Sequence, residues 1–181
     1  MKIDGILMGT DPAGIARGAR DLEALGYDGV LTAEITHDPF LPLAIAAEHT
    51  ETLELGTSIA VAFARNPMTL ANVGYDLQTY SKGRFRLGLG SQIKPHIEKR
   101  FSMPWSHPAA RMREFVLAMR AIWKTWNEKE PLDFRGDFYR HTLMTPMFDP
   151  GPNPYGNPAV VLAAVGQLMT EAAGEVADGM I

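Results

Sequence analysis

The sequence predicts an α/β fold built on a parallel sheet. Three observations carry this. Short apolar strands alternate with helical stretches along most of the chain. Several strands are continuous runs of Val, Ile, Leu and Ala, as expected where both faces are covered. The 181 residues are 46% hydrophobic and 21% charged, the composition of a globular chain long enough for one domain with a sizeable core. Periodicity alone leaves a doubly wound sheet and a barrel both open.

The elements follow in order. Ile3 to Met8 is a first strand, ending at Gly9-Thr10-Asp11-Pro12. Asp11 suits an N-cap and Pro12 a first helical turn. Ile15, Ala16, Ala19, Leu22 and Leu25 recur at helical spacing until Gly26 closes the helix. Tyr27 to Thr32 is the second strand, Pro42 to His49 an alanine-rich helix, and Leu53 to Val61 the third strand. Asn66-Pro67 opens a helix that runs to Tyr80, and Arg84 to Gly90 is the fourth strand. Pro108 to Trp126 is the strongest helix, with Met112, Phe115, Met119, Ile122 and Trp123 on one face. The repeat then breaks. An insertion spans about 127–158, with a hairpin around Gly136-Asp137 and a proline-rich loop. Ala159 to Ala164 is strand five, Leu168 to Ala177 a helix, and strand six begins near Gly179.

Bulk properties narrow the function. A net charge of -4 argues against a nucleic-acid partner or a membrane surface. There is no cysteine, so there are no disulfides, thiolate metal sites or cysteine nucleophile, which fits a reducing cytoplasm. The amino terminus enters a strand without a signal-peptide core, and no apolar run is long enough for a bilayer. His37, His96 and His107 are spread too widely for a metal site.

Ligands of parallel α/β folds gather at the carboxyl ends of the strands. Four segments fall there: Ala33 to Phe40, Ala62 to Pro67, Gly88 to His96, and Ala163 to Gln167. Each has a plain reading. Glu34 to Asp38 suits a solvated loop with Asp38 capping a turn. Gly88-Leu89-Gly90 lacks the third glycine of a dinucleotide fingerprint. Lys94 to Arg100 is a mixed charge run of the kind found on solvated helix faces.

Taken together, the segments TAEITHDPF, LELGTSIAVAFARNP, GRFRLGLGSQ and VVLAAVGQLMTEAAGEVADGMI carry a resemblance covering the whole chain. The chain resembles the luciferase-like monooxygenase superfamily, and more closely its branch using the deazaflavin F420. The resemblance implies a (β/α)8 barrel of the TIM type, here expected as one domain over 1–181 that stops after about five and a half βα units. It implies an oxidoreductase transferring hydride with F420 on a small organic substrate. The alternatives are an FMN-dependent monooxygenase and a shortened, non-catalytic cofactor-binding fragment.

The same resemblance implies site roles. Ser58-Ile59 matches a non-prolyl cis peptide placed against the cofactor ring. Gly90 and Ser91 match positions beside the cofactor side chain. Ala164, Val165 and Gly166 match a loop offering amides to an anionic tail. His37 is the best proton donor or acceptor, with Glu34 second and oriented toward it. Gln92 and His96 are substrate-pocket candidates. The acid–histidine pair of the dehydrogenase members is adjacent, whereas here Ile35 follows Glu34 and the histidine comes later. The glutamate that some members carry after strand four has no equivalent, with Gln92 and Ile93 in that region, so a sugar-phosphate dehydrogenase is disfavoured.

Ending on Gly179-Met180-Ile181 leads to the expectation that these residues are the N-terminal part of a longer barrel. Its open edges and an inner face rich in Val, Ile, Leu and Ala are expected to make it marginal or homo-oligomeric.

Overall fold

The computed structural model describes residues 1–181. Its core is a seven-stranded parallel sheet. The strands are β1 (Asp4–Ile6), β2 (Gly29–Thr32), β3 (Glu54–Thr57), β4 (Ala60–Val61), β5 (Phe85–Gly90), β8 (Ala159–Leu162) and β9 (Gly179–Met180). A separate antiparallel hairpin joins β6 (Phe134–Arg135) to β7 (Arg140–His141) around Gly136-Asp137. The order β1-β2-β3-β5-β8-β9 follows the chain, with β4 pairing β5. No strand is inserted out of order, as a doubly wound sheet would require. The sheet is an open parallel arc of the barrel type.

Five helices cover one face: α1 (Pro12–Ala24), α2 (Leu41–His49), α3 (Pro67–Tyr80), α4 (Pro108–Glu128) and α5 (Gln167–Val176). Asp11 caps α1 by accepting from the Gly14 amide at 2.8 Å. Asn66 and Thr69 form a reciprocal capping box on α3. Under the helices, Val30, Leu55, Leu87, Leu89, Val160 and Leu162 are fully buried. On α4, Met112, Phe115, Met119, Ile122 and Trp123 all join that core, as their spacing predicts.

Three expectations are corrected. Leu25 is exposed, because α1 ends at Ala24 and Leu25 occupies the cap, outside the apolar stripe. The third strand is not continuous over Leu53 to Val61. It breaks between β3 and β4 at Ser58–Ile59. The inner face is not mainly apolar. Leu31, Val161 and Met180 share it with Gly56, Gly88, Asp4 and Arg86. Arg86 donates to Asp4 at 2.9 Å and lies 3.4 Å from Glu54, so the floor of the arc is an ion-pair cluster.

Buried side chains tie the units together. Tyr75 of α3 donates to Asn127 and accepts from the Asn153 amide, fastening the segment after α4. Glu114 of α4 accepts from the amides of Asp137, Phe138 and Tyr139, holding the hairpin. Glu23 of α1 accepts from the amides of Glu51, Thr52 and Leu53 and from the Thr52 hydroxyl. Partial burial pushes the Glu23 carboxyl up, but these hydrogen bonds together outweigh it and hold the group below its ordinary 4.5. A depressed folded value means the stabilisation is complete above the ordinary value and is lost as pH falls through the folded one. Urea titrations across pH are therefore expected to show Glu23→Gln less stable than wild type at neutral pH, with the gap closing below pH 4.5. A gap independent of pH would refute this.

Candidate active site

The site is built where the strands end. After β2, Thr32 donates to the Pro39 carbonyl at 2.7 Å, curling the Ala33 to Phe40 loop back on itself. Asp38 accepts from the amides of Phe40 and Leu41, starting α2. After β3, the Ser58–Ile59 peptide is cis. The Ser58 amide donates to the Thr32 carbonyl at 2.6 Å, and the Ile59 carbonyl accepts from the Glu34 amide at 3.2 Å. The broken strand is thus laced to the loop beside it.

After β5 the chain makes an excursion from Ser91 to His107 before α4. It contains a π-helical turn, His96–Arg100, which buries Ile97. The lysine-to-arginine charge run is therefore anchored by an apolar side chain. Gln92 and His107 adopt left-handed backbone, at φ 61° and 39°. Non-glycine residues held there cost of order 1 kcal/mol and concentrate at functional sites. After β8, Gly166 turns the chain at φ +84° and opens α5.

Between these loops lies a cavity of about 640 Å³. Ser91, Gln92, Trp105, His107, Val165 and Gly166 line it, with Lys94 and the first turn of α5. A smaller cavity of about 300 Å³ shares Ser91, Gln92 and Val165 and adds Ile59 and Gly90. Trp105 packs edge-on against buried Phe63, 5.7 Å between centroids, and Arg111 stacks on the other partner of that pair at 4.4 Å. Arg111 also donates to the Pro104 carbonyl at 2.6 Å. The wall carrying Trp105 and His107 is therefore fixed from behind.

The structure brings together Ile59, Gly90, Ser91, Gln92, Val165 and Gly166. Ala164 is half-buried beside them, and Ser58 is held in the turn behind Ile59. Glu34 and His37 do not line either cavity. His37 and His96 are exposed. The expected orienting contact from Glu34 to His37 is not made. Glu34 instead accepts from Arg65 at 2.6 Å and from the Val61 amide at 2.7 Å. Three positions apart on an irregular loop, the two side chains diverge. Sequence reasoning placed Lys94 in a strand-end segment without giving it a role, and missed Trp105 and His107 as lining residues. A tryptophan and a histidine just before a proline-capped helix were the available signal. No helix is long and apolar enough to cross a membrane, and no three His, Asp or Glu side chains are grouped to hold a metal ion.

The residues present fit a flavin-like group. Apolar Ile59, Ile93, Trp105 and Met169 can face a ring, and the amides opening α5 lack intrahelical partners where an anionic tail could end.

Comparison with known proteins agrees with this fold. An uncharacterized protein of Mycobacterium tuberculosis is 64% identical over 182 residues, covering 99% of this chain and 52% of that protein. An F420-dependent glucose-6-phosphate dehydrogenase of Intrasporangium calvum is 33% identical, over 88% of this chain and 50% of its own length. The oxygenating constituent of a diketocamphane monooxygenase from Pseudomonas putida, solved with FMN, superimposes with a TM-score of 0.76 at 19% identity, over 97% of this chain and 56% of that one. The chain spans about half the length of the curated relatives it matches. The sequence model of the luciferase-like monooxygenases matches residues 4–181, and the chain belongs to that family.

Proposed function

We propose that this chain forms the cofactor-facing part of an F420-dependent oxidoreductase acting on a small organic substrate in the cytoplasm. The observation that carries the reading is the pair of adjoining cavities at the strand carboxyl ends, walled by Ile59, Gly90, Ser91, Val165 and Gly166. A bound deazaflavin supplies the redox chemistry, exchanging two electrons and a hydrogen with the substrate. The chain's own residues do the rest. Ser58 and Ile59 present a backbone and aliphatic wall to the ring. Gly90 would leave room beside it, and the Ser91 hydroxyl, which here donates to the Gln92 carbonyl at 3.2 Å, would donate to the cofactor's side-chain oxygens. Val165 and Gly166 would offer backbone amides to the anionic tail, while the Ala164 amide is taken by the Ile181 carbonyl at 3.3 Å. Gln92, which lines both cavities, would lie toward the substrate, whereas exposed His96 lines neither. His37 is the proposed proton donor or acceptor, exposed on the carboxyl face; Glu34, the second candidate on its loop, is instead engaged by Arg65 and the Val61 amide.

An FMN-dependent monooxygenase is the second reading, favoured by the FMN-bound structural neighbour. Titration of the protein with F420 and with FMN, followed by fluorescence, separates the two. Tighter binding of F420 is expected; preference for FMN moves the assignment to the monooxygenase, and binding of neither overturns both. In a preparation that turns over, His37→Ala is expected to lower the rate by roughly 10²–10⁴ if it transfers a proton. An unchanged rate removes it from the mechanism.

A further inference from the structure

Arg65 stands behind the proposed site, between β4 and α3. Its Nη1 donates to Glu34 Oε2 at 2.6 Å and to the Val61 carbonyl at 3.2 Å. Its Nη2 donates to Asp38 at 3.2 Å. The guanidinium lies 5.4 Å over the ring of Phe40. The Glu34 side chain is only 7% exposed and that of Arg65 21%. The same Glu34 oxygen accepts from the Val61 amide at 2.7 Å. From the opposite side, Arg100 of the β5–α4 excursion donates to the Ile35 carbonyl at 2.8 Å. Two arginines from different loops therefore grip Glu34 and Ile35.

What they grip matters because the neighbouring strand is interrupted. The β3–β5 ladder pairs Leu55 and Gly56, and pairing with β5 resumes only at Ala60 and Val61. Ile59 falls in the gap, and its carbonyl is held by the Glu34 amide. Ladder bonds that would otherwise set its position are replaced by the Glu34 loop. A partly buried carboxylate–arginine pair in this setting is directional and strong, because both groups are shielded from water.

We infer that Arg65 is a positioning residue. It clamps the Glu34 carboxylate as a bracket on Val61, so that Glu34 fixes the Ile59–Val61 wall instead of transferring protons. The link from that wall to a cofactor rests on the proposed function above; the bracket itself does not. Arginine is required for the two-armed grip, since one ammonium cannot reach Glu34 and Asp38 together in this geometry.

The test uses Glu34→Ala, Glu34→Gln, Arg65→Ala and Arg65→Lys. Two quantities are measured: hydrogen exchange of the Val61 amide without ligand, and affinity for F420 and FMN by fluorescence titration. Glu34→Ala and Arg65→Ala are expected to speed Val61 exchange by ~10–100-fold, the loss of a hydrogen bond to a charged group. Exchange of the core amide of Leu87 reports global stability and is expected to change less. Cofactor affinity should fall by about tenfold or more in the same variants. Glu34→Gln keeps an acceptor oxygen for Val61 and Arg65 but gives up the charge, so it should fall between wild type and Glu34→Ala in both measurements. Arg65→Lys should fall between. If Arg65→Ala does not fold, Arg65→Lys and Glu34→Gln decide. Unchanged Val61 exchange in the arginine variants, or a loss in Glu34→Gln as large as in Glu34→Ala, overturns the inference. If wild type binds neither cofactor, the proposed function fails, and Val61 exchange still decides the bracket.

Discussion

Replacing Gly88 with alanine is expected to destabilise the protein by about 3 kcal/mol or more. Gly88 lies in the middle of β5, and a Cβ built there would sit 1.8 Å from the Thr57 carbonyl oxygen. That contact is with backbone, so no side chain can swing away. Relief requires β3 and β5 to part. The Thr57 hydroxyl, which donates to the Gly88 carbonyl at 2.6 Å, would be pulled off its acceptor as well. Against a total stability of about 5–15 kcal/mol this is a large fraction. Gly174 provides the contrast. It lies inside α5, and an added Cβ meets nothing within 4 Å. Gly174→Ala should gain up to about 1 kcal/mol from helix propensity. Urea unfolding midpoints of the two variants should move in opposite directions. A Gly88→Ala midpoint equal to wild type would show that the strands are not held this close.

The second large effect is expected at Arg84, the residue just before β5. Its guanidinium donates to the Leu53 carbonyl at 2.6 Å, to the Ser81 carbonyl at 2.8 Å and to the Thr50 hydroxyl at 3.0 Å. It also reaches the carbonyls of Ala47 and Thr50, at 3.2 and 2.8 Å, where α2 ends. One cation thus closes a helix C-terminus, the start of β3 and the turn before β5. Burial pushes the Arg84 guanidinium below its ordinary value, while Glu23 and Glu51 push it up. Arginine nonetheless stays charged. Arg84→Met keeps the aliphatic stem but strands these acceptors. It should cost about 2–4 kcal/mol, the range for losing several bonds to a charged group. Arg84→Lys, with a single point donor, should recover less than half. Thermal and urea unfolding check both, and a methionine variant as stable as wild type would refute the brace.

Features encoded locally were legible in the sequence. The caps at Asp11 and Asn66 and the apolar face of α4 follow from spacing and residue type, which one stretch of chain carries by itself, whereas the chain order of the sheet came only with the family resemblance. The cis bond at Ser58–Ile59 was legible through family resemblance, because it depends on the loop beside it. What stayed hidden depends on partners far apart in sequence. Glu23 binding the amides of Glu51 to Leu53, Arg84 reaching α2, and Trp105 with His107 lining the cavity are such cases. Glu34 shows the difficulty most clearly. Nearness to His37 along the chain pointed to one partner, while folding supplied Arg65, on the loop after the next strand. The inner face was misjudged for a related reason. Many apolar residues of the strands face the helices, and the positions that line the arc mix Leu31, Val161 and Met180 with glycines and an ion-pair cluster.

The order of the sheet has a consequence for how the protein is made. Each main strand lies beside the one translated just before it. A nascent chain therefore never has to leave a gap for a later strand. Once β2 has left the ribosome it can dock on β1, α1 can close over both, and β3 then finds a finished edge. Only one edge advances during synthesis, so the growing sheet exposes at any moment the strand awaiting its successor and the outer edge of β1.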